Sequence, residues 1–328
     1  MDKIILAIES SCDETSIAIL KNENELLANV ISTQIAVHQK YGGVMPEIAS
    51  RLHVENIGVV LKEALEQAKI TMEEVSAIAV TSGPGLIGAL HVWLQCAKTL
   101  ALMYNKPLIP VHHLAGHIYA NEYVSPLKFP CLAIIVSGGN TELVIMDKHL
   151  SFNIIGETRD DAIGEAFDKV ARVVGLGYPG GPKVDKLAQQ GEATIDFPKT
   201  HFENLDFSFS GIKTAVINLH HKNPEINKAD LCMSFEKAVT EVLIENIESA
   251  VKQTGIKKVV LAGGVSANTH IRSEFEKLEQ KGIKIYKPDL KLCGDNAAMI
   301  GSAGYFRYLN GDLSENTLNA VPNLKIGE

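Results

Sequence analysis

Two stretches decide the fold: IILAIESSCDETSIAIL at residues 4–20 and LAIIVSGGNTELVIM at residues 132–146. Each reads as an apolar strand, a small polar turn and a second apolar strand. The turns, SSCDET (10–15) and SGGNT (137–141), are rich in residues that bend sharply and offer backbone N–H groups and hydroxyls to an anion. Either alone is an ordinary β-hairpin. Their recurrence about half a chain apart implies two related α/β domains, each with a turn suited to phosphate. A third element supports this: a buried strand at 258–263 passes through GGVSAN (263–268) into a helix reaching about residue 281. Bare glycine backbone lets a base or ribose come close. Asn268 can bond a sugar or base edge, and Ser266 is positioned to cap the helix.

Between these elements, strand alternates with helix. Residues 51–70 carry a helical stripe of Leu52, Val59, Val60, Ala64, Leu65 and Ala68; residues 77–81 read as a strand, and Gly83-Pro84-Gly85 opens the next helix. Such alternation predicts parallel sheets with helical crossovers. The most polar joint, with two prolines, is 121–130, which places a domain boundary before the second hairpin. No G-x-x-x-x-G-K-[ST] loop occurs, nor a G-x-G-x-x-G after a strand.

The chain of 328 residues is 46% hydrophobic, enough for two cores. The apolar run 4–8 stops at Glu9, and no run approaches the ~20 residues that span a bilayer, so the expectation is a cytoplasmic protein without membrane contact. Five scattered cysteines without a C-x-x-C pair predict neither a disulfide framework nor a thiolate zinc site. A net charge of -8 argues against a surface that binds nucleic acid everywhere, though Arg159, Lys169, Arg172, Lys183, Lys186, Lys199, His201 and Lys213 suggest a local basic rim.

His113 and His117, in HHLAGH at 112–117, share one helix face, a spacing that can hold a metal. A zinc peptidase with this spacing puts its general base directly after the first histidine, where this chain has Leu114. On spacing alone the pair is either a metal face or two ordinary helical histidines. Asp295, by the same standard, is placed to cap a helix over 296–309.

The order hairpin, hairpin, strand-Gly-Gly-helix resembles the actin-like ATPase superfamily of sugar kinases and actin. Within it, HQKYGGVMPEIASR (38–51), HHLAGH (112–117), VSGGNT (136–141), GEAFDK (164–169), YPGGP (178–182), DFSFSG (206–211), GGVSAN (263–268) and DNAAM (295–299) resemble the TsaD family. That family makes the threonylcarbamoyl modification on adenosine 37 of tRNA. The resemblance implies an α/β actin-like ATPase fold: two related domains with ribonuclease H-like sheets around a nucleotide cleft. The first, 1–127, would carry the metal histidines and a partner interface. The second, 128–328, would carry the phosphate hairpin, the adenosine site and a third metal ligand, its last helix packing back on the first domain.

The implied activity is that of an acyltransferase, moving the L-threonylcarbamoyl group from threonylcarbamoyl-AMP to N6 of adenosine 37 in tRNAs that read codons beginning with A, and releasing AMP. Carried over residue by residue, Asp295 joins His113 and His117 around one divalent metal per subunit, Fe(2+) ahead of Zn(2+). It would cap its helix as well. Val136, Ser137, Gly138, Gly139 and Asn140 would contact the phosphate and carbamoyl region; Asp168, Gly181, Asp185 and Asn268 would bind the adenosine. The implied partners are tRNA, the shorter paralogue TsaB, paired through helices within 37–102, and the ATPase TsaE. One departure is Asn140, where many bacterial relatives have histidine: an amide cannot shuttle a proton near neutral pH. Competing expectations are a small-molecule kinase using Asp13 or Glu14 as base, a nucleophilic role for Cys12, and a non-enzymatic nucleotide-binding regulator.

Overall fold

A computed structural model of the chain describes residues 2–327. In chain order its elements are β1 (Ile4–Glu9), β2 (Glu14–Lys21), β3 (Glu25–Thr33), α1 (Ile35–His38), α2 (Pro46–Ala68), β4 (Ala77–Gly83), α3 (Ile87–Tyr104), β5 (Leu108–His112) and α4 (His113–Tyr119). There follow β6 (Cys131–Val136), β7 (Thr141–Met146), β8 (Asn153–Glu157), α5 (Ile163–Val173), α6 (Gly180–Ala188), α7 (Ser210–Lys222) and α8 (Lys228–Thr254). The chain closes with β9 (Lys258–Ala262), α9 (Thr269–Lys277), β10 (Lys284–Tyr286) and α10 (Ala297–Asn310). Of the described residues, 2–127 and 288–327 make one compact unit, and 128–287 the other.

The first unit is built on a five-stranded sheet of order β3-β2-β1-β4-β5. Its meander β1–β2–β3 is antiparallel, and β4 and β5 add in parallel. Strand alternation sorts the side chains. Leu6, Ile8, Ile17, Ile19, Ile78 and Val80 join Val60 and Ala64 of α2 and Trp93 and Leu94 of α3 in one buried core. Several of the intervening positions (Ala7, Ala18, Ala77, Ala79) are small, which lets α10 lie close on the opposite face: a Cβ on Gly304 would come within 2.6 Å of the Ala79 Cβ.

The second unit repeats this plan with order β10-β9-β6-β7-β8, β6–β7–β8 antiparallel and β9 and β10 parallel. Its core gathers Leu132, Ile134, Val136 and Leu261 from the sheet with Phe167 of α5 and Phe235 and Val239 of α8. The 10–13 turn of the first unit thus corresponds to the 137–140 turn of the second, and the loop after β4 to the one after β9.

The division after residue 127 lies in the polar joint at 121–130. Residues from 288 onward, however, belong to the first unit: α10 packs on β1, β2, β5 and α4. Asp295 is therefore a residue of the first unit. Three local expectations shift. The helix read from residue 51 begins five residues earlier, with Pro46 at its first turn, where a missing N–H costs nothing. Val59, assigned to its apolar stripe, is 65% exposed. After Gly263-Gly264 a short 3-10 turn intervenes, and α9 starts only at Thr269. Among the described residues no helix is long and apolar enough to cross a membrane, and none of the five cysteines forms a disulfide.

Candidate functional site

In the first unit, β5 delivers the chain directly into α4, whose first residue is His113. His112 caps this helix: its Nδ1 accepts from the Leu114 N–H at 3.1 Å, and its Nε2 donates to the Leu324 carbonyl at 3.0 Å. A backbone amide can only donate and a carbonyl only accept, so these partners fix the tautomer. Burial pushes His112 down to about 4, keeping it neutral. It has a structural role.

One turn of α4 brings His113 and His117 edge to face, ring centres 4.7 Å apart. Asp295, just before α10, lies with Oδ1 3.5 Å from His113 Nε2 and 3.3 Å from His117 Nε2. One donor atom from each residue lies within 4.8 Å of the other two. Behind His113 stands a residue the sequence reading passed over. The fully buried Glu9, at the end of β1, meets His113 Nδ1 at 3.0 Å, and accepts from the Ser11 N–H at 2.5 Å and the Thr81 hydroxyl at 2.6 Å. The Glu9 carboxylate accepts the hydrogen bond of the Nδ1–H, which turns Nε2 toward Asp295 and His117. The clue in the sequence was a single carboxylate closing an otherwise apolar strand.

The electrostatics fit a cation. Burial alone would lower His113, but the Glu9 and Asp295 carboxylates hold it well above the usual imidazole range. Burial would raise Asp295, yet the two histidines hold it far below the carboxylate range. His117 is pushed down by burial, and among the described residues neither of its ring nitrogens has an aligned hydrogen-bond partner. Separations of 3.3 and 3.5 Å are longer than well-made charge-assisted hydrogen bonds, so these donors are gathered without satisfying one another. Two imidazoles and a carboxylate with further positions open suit Fe(II) or Zn(II). The expectation that Asp295 also caps its helix is corrected: Asn296 is the cap, its side chain accepting from the Met299 N–H at 3.1 Å. Asp295 is left free for the histidines.

In the second unit, the nine residues expected to contact substrate fall on one circuit. The 137–140 turn is closed by Ser137 N–H to the Asn140 carbonyl (2.9 Å) and Asn140 N–H to the Ser137 hydroxyl (3.0 Å). The Gly164 N–H then ties α5 to the Ser137 carbonyl at 3.1 Å. Asp168 of α5 accepts from the Gly180 N–H at 2.7 Å, opening α6. Asp185 of α6 accepts from the Thr269 N–H and hydroxyl, both at 3.1 Å, at the start of α9. Asn268 caps α9 through the Ile271 N–H at 2.9 Å and donates to Glu236 at 2.7 Å. Gly263, at φ 95°, brings the path back to β6, where a Cβ would lie 2.3 Å from the Val136 carbonyl oxygen. Asn268, not Ser266, is the cap, and the Ser266 hydroxyl is buried without a partner among the described residues.

The glycines of this circuit divide into two kinds. Gly180 and Gly263 are required by packing, since a Cβ on Gly180 would meet Asp168 Cα at 2.6 Å. Gly138, Gly139 and Gly181 face open space: a Cβ added at any of them would meet nothing within 4 Å, and none has a left-handed backbone. Their bareness serves no contact within the protein, and it leaves backbone N–H groups open to an anion.

Other expectations fare differently. The basic rim is largely neutralised: Arg159 pairs with Asp206 (2.7 Å), Lys169 with Asp161 and Glu165, Lys213 with Asp161, and Lys199 with Glu241 and Glu245. Lys183 donates to the Leu176 and Tyr178 carbonyls. Burial, followed by the nearby Asp13 and Asp295 carboxylates, raises the Cys12 thiol well above its ordinary value, which disfavours the thiolate. Glu14, named as a kinase base, is hydrogen-bonded to Thr33 at 2.8 Å.

The repeated sheet defines the class: this is an actin-like ATPase fold. HypF from T. kodakarensis superposes with a TM-score of 0.65 at 14% identity, over 97% of this chain and 49% of that one. Component A of the (R)-2-hydroxyglutaryl-CoA dehydratase of Acidaminococcus fermentans gives 0.56 at 13% identity, over 94% and 99%. Residues 25–302 match the pattern of TsaD, tRNA N6-adenosine threonylcarbamoyltransferase. Proteins of that name are 55% identical in Clostridium perfringens, over 99% of both chains, and 53% identical in Staphylococcus carnosus, over 99% of this chain and 97% of that one. The chain belongs to the TsaD family.

Proposed function

We propose that the protein transfers the L-threonylcarbamoyl group to N6 of adenosine 37 in tRNAs reading codons that begin with A, taking it from threonylcarbamoyl-AMP. The observation that carries this reading is the convergence of His113, His117 and Asp295 in a chain whose relatives bear the name of that transferase. In the reaction the N6 amine attacks the carbamoyl carbonyl carbon, a C–N bond forms, the C–O bond to phosphate breaks, and AMP leaves with the electron pair while N6 loses a proton.

Each unit has its share. The bare amides at Gly138 and Gly139 stabilise charge on the departing phosphate. Asp168 and Asp185 accept from ribose hydroxyls, Gly181 gives the sugar room, and Asn268 offers its amide edge. Asn140 positions through donor and acceptor without exchanging a proton. His113, His117 and Asp295 would hold one divalent cation, Fe(2+) before Zn(2+), which supplies a Lewis acid for substrate oxygens.

The TsaB paralogue would dock on α2 and α3, where Val54, Val59, Leu102 and Met103 are exposed. Gly58, Leu61 and Leu65 help line a groove of about 410 Å³ on the same α2. TsaE would complete the set, in the cytoplasm. The relatives favour neither a small-molecule kinase nor a non-enzymatic regulator. The deciding experiment incubates the protein with threonylcarbamoyl-AMP and unmodified tRNA, with and without the two partners, followed by nucleoside mass analysis. Formation of threonylcarbamoyl-adenosine is expected; its absence in every combination overturns the reading.

A further inference from the structure

The central helix of the second unit, α8, buries a carboxyl group. Glu236 is completely inaccessible, on a helix whose buried face also carries Leu231, Phe235, Val239, Leu243 and Ile247. Its Oε1 accepts from Asn268 Nδ2 at 2.7 Å. Among the described residues its Oε2 has no hydrogen-bond partner, and neither has the Thr240 hydroxyl one turn further on. A buried carboxyl is expensive to desolvate, and a leucine would pack such a position at no such cost. Its hydrogen bond to Asn268 reaches a residue of the circuit described above.

Asn268 is held at both ends. Its Oδ1 takes the Ile271 N–H, and one Nδ2 hydrogen goes to Glu236, so the planar carboxamide can neither rotate nor flip. Capping α9 needs only the oxygen, and serine or aspartate would supply one. The pinned NH2 group answers a different need: it fixes the direction of the remaining Nδ2 hydrogen and Oδ1 lone pair, an adjacent donor and acceptor that match a ligand hydroxyl. Burial, then the Asp185 carboxylate, push the Glu236 carboxyl up to about 8 against the pull of Asn268, so near neutral pH it is mostly the uncharged acid. An uncharged acid tolerates its unpartnered Oε2 better than a carboxylate would.

We infer that Glu236 is a positioning residue of the nucleoside site, acting through Asn268. This rests on the reading of Asn268 as a nucleoside ligand. The test is calorimetric titration of the full chain with AMP, combined with thermal melting. Asn268→Ala is expected to weaken AMP binding about tenfold or more, and Glu236→Leu by a similar factor. The double variant should bind no more weakly than Asn268→Ala alone, because the two losses are one loss. Glu236→Gln, which keeps the acceptor and the shape, should restore binding to within about threefold of the parent. If Glu236→Leu does not fold, Glu236→Asp, which withdraws the acceptor by one methylene, takes its place in the cycle with a weakening of about threefold or more.

Unchanged binding in Asn268→Ala would overturn the nucleoside reading and the inference with it. Weakening in Asn268→Ala without weakening in the Glu236 variants would overturn the inference alone. So would additive losses in the double variant, or a lowered melting temperature with unaltered AMP affinity, since both mark a merely structural role.

Discussion

The same five-stranded plan occurs twice in this chain, and its two copies are equipped differently at equivalent places. The first strand ends in Glu9 in one unit and Val136 in the other. The turn that follows is Ser10-Ser11-Cys12-Asp13 in one and Ser137-Gly138-Gly139-Asn140 in the other. The first copy surrounds buried histidines with carboxylates, an arrangement that would suit a cation; the second exposes bare amides, one that would suit an anion. The sheet fixes where a turn sits, and two or three side chains decide which charge it would suit.

That contrast can be broken most severely in the first unit. His113→Ala combined with His117→Ala should abolish bound metal by elemental analysis and lower threonylcarbamoyl-adenosine formation by about a thousandfold or more, while leaving AMP affinity intact. A variant that still carried stoichiometric metal would refute the assignment of charge between the copies. In the second unit the glycines make the sharper test. Gly263→Ala forces a side chain into a left-handed backbone and onto the Val136 carbonyl, and should destabilise by about 3 kcal/mol, read as a drop in melting temperature. Gly181→Ala meets open space, so its melting temperature should stay within about 2 °C while AMP binding weakens. Should both glycines behave alike, the division into packed and open positions is wrong.

Glu9→Gln asks whether the carboxylate at the end of β1 is what distinguishes the copies. It keeps the shape and removes the charge behind His113; metal affinity should fall about ten- to a hundredfold in a competition titration. No loss would mean that Ser11, 3.1 Å from the same nitrogen, orients the ring unaided. The smallest effect concerns the buried acid of the second unit. Glu236 has a folded-state pKa raised to about 8, so the native protein retains a proton that the unfolded chain has released, and stability declines as pH rises from the ordinary glutamate value through 8. Glu236→Gln should flatten that decline, gaining about 1 kcal/mol on the parent between pH 7 and 9. Parallel melting curves of the two proteins across that range would contradict it.

How far the sequence carried this picture depends on the range of the interaction concerned. The two hairpins were legible because a strand's alternation and a turn's glycines are local, and they defined the repeat. The histidine pair was legible because one helical turn separates its members. Asp295 was not, by spacing: Asp295 and Asn296 are adjacent, both are good caps, and only the backbone's entry into α10 selects Asn296. It took a whole-chain resemblance to attach Asp295 to the histidines. Glu9 and Glu236 escaped notice because a carboxylate beside an apolar run does not say which distant group it meets. The basic rim failed for the same reason in reverse: Lys169 and Lys213 reveal their charge in sequence but not Asp161, which neutralises both.

The first unit is written in two pieces, with the whole of residues 128–287 between them. During synthesis, β1 to β5 and both histidines emerge early, yet they lack Asp295 and the helix α10 that covers one face of their sheet. A nascent chain at residue 287 therefore exposes a half-covered sheet and an incomplete ligand set. The second unit, contiguous and carrying its own core, has every residue it needs by then. A metal held by His113, His117 and Asp295 would thus be captured late, only by chains made past residue 295.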